Sequence, residues 1–141
     1  MGQYFLIVNL DKEEFLDPQK LGSGLKLWEI CANNISRLLP HLLRKSSGFG
    51  GGDVSDRYSR KLLKRKSKNP NDTTIETIQK EVNKDFSNNG RWAGDRIVVV
   101  GDYDESKLFK KADDSFTDIS SEVKEEFNKF IEVDDCKLGK K

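Results

Sequence analysis

Three observations predict a small α/β or α+β domain, with a sheet of three to five strands and helices packed largely on one face. Two β-branched and aromatic stretches, Tyr4 to Leu10 and Ile97 to Val100, read as strands near opposite ends of the chain. Apolar residues recur at helical spacing in three places: Ile35, Leu38, Leu39, Leu42 and Leu43; Ile75, Ile78, Val82 and Phe86; and Val123, Phe127, Phe130 and Ile131. A length of 141 residues suits one domain, able to bury roughly two-thirds of its unfolded surface.

The first strand ends at the polar turn Asn9-Leu10-Asp11-Lys12, and Glu13 to Asp17 returns as a second strand stopped by Pro18, which together predict a hairpin. Leu21-Gly22-Ser23-Gly24 reads as a flexible connector whose Ser23 or Gly24 caps a helix, with Leu25, Leu27, Trp28 and Ile30 as its apolar face. Asn33 or Asn34 caps a second helix, in which Pro40 predicts a kink near Leu39. His41, the one histidine, sits between Pro40 and Leu42, where a packed or surface role is expected over a catalytic one.

Residues 46–72 are expected to form a mobile, glycine-rich and basic insertion. Its glycines, Gly48 and Gly50 to Gly52, match neither GxxxxGK[ST] nor GxGxxG, so no phosphate-cradling motif is present. From Val54 to Lys68 there are seven lysines and arginines against one aspartate. Thr73 with Glu76 forms a capping box for the next helix, which Ser87 to Gly90 closes. Ile97 to Val100 has no polar alternation and predicts a strand buried on both faces. Glu105 to Ser115 reads as charged and irregular; Ser120 caps a last helix, and residues 134–141 are expected to fray.

Formal net charge is +1, with 35% charged and 35% hydrophobic residues, so nothing global points to nucleic acid or a membrane. Charge is nonetheless polarised: Asp102 to Asp135 carries twelve acids against five bases, opposite in sign to 54–68. Cys31 and Cys136 lie far apart, without metal-ligand spacing, which suits two free thiols in a reducing compartment; one pairing between them stays open. With no apolar run near membrane-spanning length and no secretory or myristoylation pattern, a soluble cytoplasmic protein is expected.

Met1-Gly2-Gln3-Tyr4, Asn9-Leu10-Asp11-Lys12, Leu21-Gly22-Ser23-Gly24-Leu25-Lys26-Leu27, Arg91-Trp92-Ala93-Gly94-Asp95-Arg96, Gly101-Asp102-Tyr103 and Phe116 to Val123 form a recognisable set. The set resembles a family of small uncharacterised proteins of bacteria, their viruses and some fungi. The resemblance covers both ends of the chain and departs from it between Ser55 and Asp85. It implies no activity and carries over no catalytic residue.

Two site chemistries and one binding arm follow from the residues. Lys12, Lys26, Arg91 and Arg96, with Trp92 and Tyr103 beside them, combine cations and rings as a site for a phosphorylated or other anionic, nucleotide-like ligand does. A regulatory protein, including a viral accessory one, fits that reading better than an enzyme, because no nucleophile–base pair or cofactor fingerprint is present. Alternatively, Asp11, Asp53, Asp95 and Asp102 supply carboxylates that would bind Mg²⁺ in a hydrolase, if the first and last strands pair and bring them together. Turn capping and salt bridges explain both residue sets without a ligand. The arm at 54–68 offers phosphate neutralisation to acidic partners or nucleic acid. Such binding is expected to be non-specific and to weaken steeply between about 50 and 200 mM salt. Neutralising Lys61, Lys64, Arg65 and Lys66 together is expected to abolish it in a filter-binding assay; tight, salt-insensitive binding would contradict this reading.

Overall fold

The computed structural model describes residues 2–46, 84 and 87–130. Nearly all of the expected insertion at 46–72 and of the helix expected from Thr73, and all of the tail at 134–141, lie outside the described residues. Two strands, β1 (Phe5–Asn9) and β2 (Glu14–Leu16), form the expected antiparallel hairpin, with Ile7 opposite Leu16 and Asn9 opposite Glu14. The turn between them is built by the buried Asn9, whose Oδ1 accepts from the Asp11 and Lys12 backbone N–H groups at 2.9 and 2.8 Å. This is an Asx-type turn, in which a side chain replaces the backbone acceptor. Asn9 Nδ2 donates to Asp95 at 2.9 Å, tying the hairpin tip to the segment that leads into β3 (Ile97–Gly101).

β3 lies antiparallel on β1, so the first and last predicted strands do pair. A short fourth strand, β4 (Thr117–Asp118), runs parallel to β2 and completes a sheet of order β3-β1-β2-β4. Among the described residues the result is one mixed four-stranded sheet with four α-helices, an α/β domain. Among the described residues β3 is therefore an edge strand, and Val99 is 47% exposed. The unbroken β-branched run predicted burial on both faces; only one end of the strand, Val100 and Gly101, is buried. Valine content reports strand propensity, but an edge is defined by a missing neighbour, which composition does not encode.

Side chains of β1 alternate between two apolar clusters. Ile7 joins Leu16, Leu21, Ile30, Ile35, Leu38, Leu42, Trp92, Ile119, Val123 and Phe127 on one face. That face carries α1 (Leu27–Ala32), α2 (Leu38–Leu43) and α4 (Ser120–Phe130). Leu6 and Val8 join Phe15, Val100 and Ala112 on the other, beneath α3 (Leu108–Ser115). Helices thus pack largely on one face, as expected. The segment read as irregular, 105–115, forms α3: partly buried Leu108 and Phe109 with buried Ala112 make one narrow apolar stripe among charges.

The first helical region departs from expectation too. Of its predicted face only Ile30 is buried, and Trp28 is 70% exposed. Pro40 does not kink a long helix; the chain makes a 3-10 turn over Asn34–Arg37 and begins α2 at Leu38. Proline at the third helical position lacks the N–H that an α-helix through Ser36 would need, so the regular helix starts after it. No helix among the described residues is long and apolar enough to cross a membrane. Leu38→Ala is expected to cost about 2–5 kcal/mol in denaturant unfolding, whereas Trp28→Ala should stay within about 0.5 kcal/mol.

Candidate functional site

The ten residues singled out by sequence separate into three places and a remainder. Asp11, Lys12, Asp95 and Arg96 meet where the hairpin tip touches the lead-in to β3. Lys12 Nζ pairs with Asp95, while Arg96 donates to Asp11 from Nε and Nη2 at 2.9 Å and from its backbone N–H at 2.7 Å. Backbone and side-chain hydrogen bonds from Arg96 hold the Asp11 carboxyl below its ordinary value; Lys12 and Asn9 do the same for Asp95. Each acid in this group is engaged by a base.

Arg91 and Trp92 lie inside the molecule. Trp92 is fully buried, and its Nε1 donates to Glu14 Oε1 at 2.9 Å. Arg91 Nε donates to the same oxygen at 3.3 Å, and Nη2 pairs with Glu14 Oε2. Arg91 Nη1 reaches Asn88 Oδ1 at 2.7 Å and Glu122 Oε1 at 3.3 Å. Partial burial pulls the Arg91 pKa down, but the bonds and charges of Glu14 and Glu122 outweigh it and leave it raised. A second buried carboxylate lies close by: Glu126 accepts from the Asn88 backbone N–H at 2.9 and 3.2 Å and sits 2.6 Å from His41 Nε2. His41 is a packed residue joining α2 to α4.

Lys26, Asp102 and Tyr103 gather at the other end of β1, around Gly2 to Tyr4. Asp102 Oδ1 accepts from the Tyr4 N–H at 3.1 Å, and the Asp102 N–H donates to Tyr4 O at 2.9 Å. The Lys26 side chain lies against Gly2, and Tyr103 is exposed. Asp102 stands six residues along an extended strand from Arg96, about 20 Å away. Asp53 lies outside the described residues. The pairing of β1 with β3 therefore brings Asp11 and Asp95 to one end of the strands and leaves Asp102 at the other, since an extended strand holds its two ends apart. Among the described residues, no group of three or more His, Cys, Asp or Glu is placed to hold a metal ion.

A concavity that the sequence reading did not single out lies beside Tyr4. A cleft of about 720 Å³ is lined by Tyr4, Gln19, Gly22 to Leu25, Glu29 and Asn33. Its wall is the segment read as a flexible connector. Asp17 Oδ1 accepts from Gln19 N at 3.0 Å and caps a 3-10 turn over Pro18–Leu21, which Gly22 closes at φ 85°. Leu25 O then accepts from Phe5 N at 2.9 Å, docking the segment onto β1. Buried Ser23 bonds to Gly24 O, and Asn33 Nδ2 donates to Glu29 O at 2.7 Å. A side chain at Gly24 would overlap the Glu29 carboxylate, which rests on the bare Cα. Glycine spacing was the available signal: Gly22 closes a turn and Gly24 makes room for a carboxylate, and neither serves flexibility.

No family model matches the chain, and no curated protein or solved structure matches it either.

Glu14→Ala leaves Arg91 and the Trp92 indole without their acceptor and is expected to cost about 3 kcal/mol in urea unfolding. Asp11 and Asp95 have depressed folded pKa values, so their stabilisation is present above the ordinary carboxylate range and is lost as pH falls through the lowered values. Thermal melts of Asp11→Asn with Asp95→Asn should therefore fall below the parent at neutral pH and converge with it at acidic pH.

Proposed function

We propose that the protein is a binding protein for a small polar molecule, held in the cleft between Tyr4 and the Gly22–Leu25 segment. The observation that carries this reading is the Glu29 carboxylate: half-buried against Gly24, it lines the cleft and has no hydrogen bond or ion pair among the described residues. A volume of about 720 Å³ falls in the range of small-ligand sites. The lining offers a carboxylate, amide groups, two hydroxyls and one aromatic ring, and no cation. That chemistry suits a neutral or cationic molecule bearing amine, amide or hydroxyl donors. Binding to a retained carboxylate is favoured where partial burial weakens competition from water.

Small-ligand binding is thus kept from the sequence reading, while the charge of the ligand changes. Lys12, Arg91 and Arg96 each have a carboxylate partner, so an anion there would have to displace Asp95, Glu14 or Asp11. The cleft contains no such competition. A reducing, cytoplasmic setting belongs to the same reading, supported by Cys31 as a free, exposed thiol.

Native mass spectrometry of protein purified from cells, followed by thermal-shift titration with amines, amino acids, nucleosides and nucleotides, tests this proposal. A donor-bearing, uncharged or cationic molecule should stabilise the parent, and Glu29→Gln should remove that stabilisation while leaving the unliganded melt in place. Stabilisation by an anion that survives Glu29→Gln and disappears in Lys12→Gln or Arg96→Gln would return the function to the anionic reading.

A further inference from the structure

The two edges of the sheet are treated differently. β4 has two residues, and its Asp118 is paired with Lys20, so that edge is short and charged. The β3 edge is five residues long, Ile-Val-Val-Val-Gly, without proline or charge. Native sheets ordinarily blunt such an edge with a charge, a bulge or a covering element. Among the described residues β3 pairs only with β1.

The phase of that pairing fixes which backbone groups face outward. Leu10 N donates to Arg96 O and Asp102 N to Tyr4 O, both at 2.9 Å. Bonded positions alternate along an antiparallel pair, so Val98 and Val100 bond to β1. The N–H and C=O groups of Ile97 and Val99 and the N–H of Gly101 point to the open edge, where Gly101 O already accepts from Asp104 N at 3.1 Å. A groove of about 530 Å³ follows this edge, lined by Phe5, Val98 to Gly101 and Leu108, with Tyr103 and Asp104 at one end.

We infer that β3 is a homodimerisation strand, pairing antiparallel with β3 of a second copy about a two-fold axis at Val99. In this register Val99 bonds to Val99 of the other copy in both directions and Ile97 faces Gly101: the Gly101 N–H donates to Ile97 O, and the Ile97 N–H takes the second lone pair of Gly101 O, whose first is used by Asp104 N. Shifting the register by two residues leaves one of the three unpaired. The same register sets Arg96 of each copy opposite Asp102 of the other. Charge complementarity at both ends is what selects a second copy over an unrelated strand. Opposite charges facing across strands stabilise pairing, and like charges oppose it. Arg96 is 73% exposed and Asp102 is exposed, so both are accessible for it, although Asp11 and the Tyr4 N–H already engage part of each. A net charge of +1 leaves little long-range repulsion between copies. Two four-stranded sheets would then become one of eight strands, with α3 of each copy on the same face.

Sedimentation equilibrium on the full chain tests the inference. The parent protein is expected to dimerise, and Val99→Lys, which sets two ammonium groups face to face, should weaken dimerisation at least about tenfold with an unchanged circular dichroism spectrum. Arg96→Glu and Asp102→Arg should each self-associate poorly, because each sets like charges opposite one another. Mixed in equal amounts they should form a heterodimer, since both cross-pairs are then of opposite sign. Hydrogen exchange gives a readout independent of variants: the Ile97, Val99 and Gly101 amides should gain protection with protein concentration, while Val98 and Val100 stay protected throughout. A parent that stays monomeric up to millimolar concentration, a dimer indifferent to Val99→Lys, or outward amides that never gain protection would overturn the inference.

Discussion

A buried carboxylate on the second strand sets the terms for the surrounding structure. Glu14 points into the side of the sheet that carries three helices, where an ion without partners would cost several kcal/mol. The segment before β3 supplies the compensation: the Trp92 indole N–H takes one oxygen, and the Arg91 guanidinium spans both. Arg91 in turn reaches Asn88 and Glu122, so one charge on β2 fixes the position of a loop and of α4. Removing the carboxylate alone would leave a donor and a cation facing an apolar core.

The loop thus anchored completes other elements that are not finished in themselves. Helix α2 ends with carbonyls that have no partner within the helix. Gly90 N donates to His41 O at 2.8 Å and Trp92 N to Leu42 O at 2.9 Å, which satisfies two of them. Gly90 has φ 76°, and a Cβ there would lie 2.6 Å from Arg44 O, so both the backbone conformation and the close approach require glycine. Further along, Asp95 bonds to Asn9 and pairs with Lys12, closing the hairpin tip. Positions 88–96 act as a clasp, and the residues in them that look ready for a ligand are occupied by holding the fold.

That occupation directs attention to the opposite end of β1. There, among the described residues, the chain leaves a cleft with the Glu29 carboxylate unengaged and the open edge of β3. Both features depend on Gly2 to Phe5, which contributes Tyr4 to the cleft and Gln3 and Phe5 to the groove along β3. Ligand capture in one and strand pairing at the other would therefore share a wall.

Local chemistry determined much of the architecture. Period-two apolar patterning with Pro18 specified the hairpin, the Val123 and Phe127 spacing specified α4, and a β-branched run specified β3, because each of these signals acts within a few residues. Polar-rich α3 escaped notice because three apolar residues on one narrow stripe give a weak period, and β4 because two residues give none. What the sequence alone left open is the destination of each charge. Arginine beside tryptophan looks the same whether it faces a phosphate or a glutamate seventy-seven positions away, and a carboxylate at a strand end looks the same whether strands bring it to others or hold it apart. Those outcomes depend on contacts between distant segments. Sequence specified the hairpin, β3 and α4 because their causes are local; tertiary structure decided which cations were already paired and, among the described residues, that the Glu29 carboxylate lines a cleft without a partner and that β3 lies at the edge of the sheet.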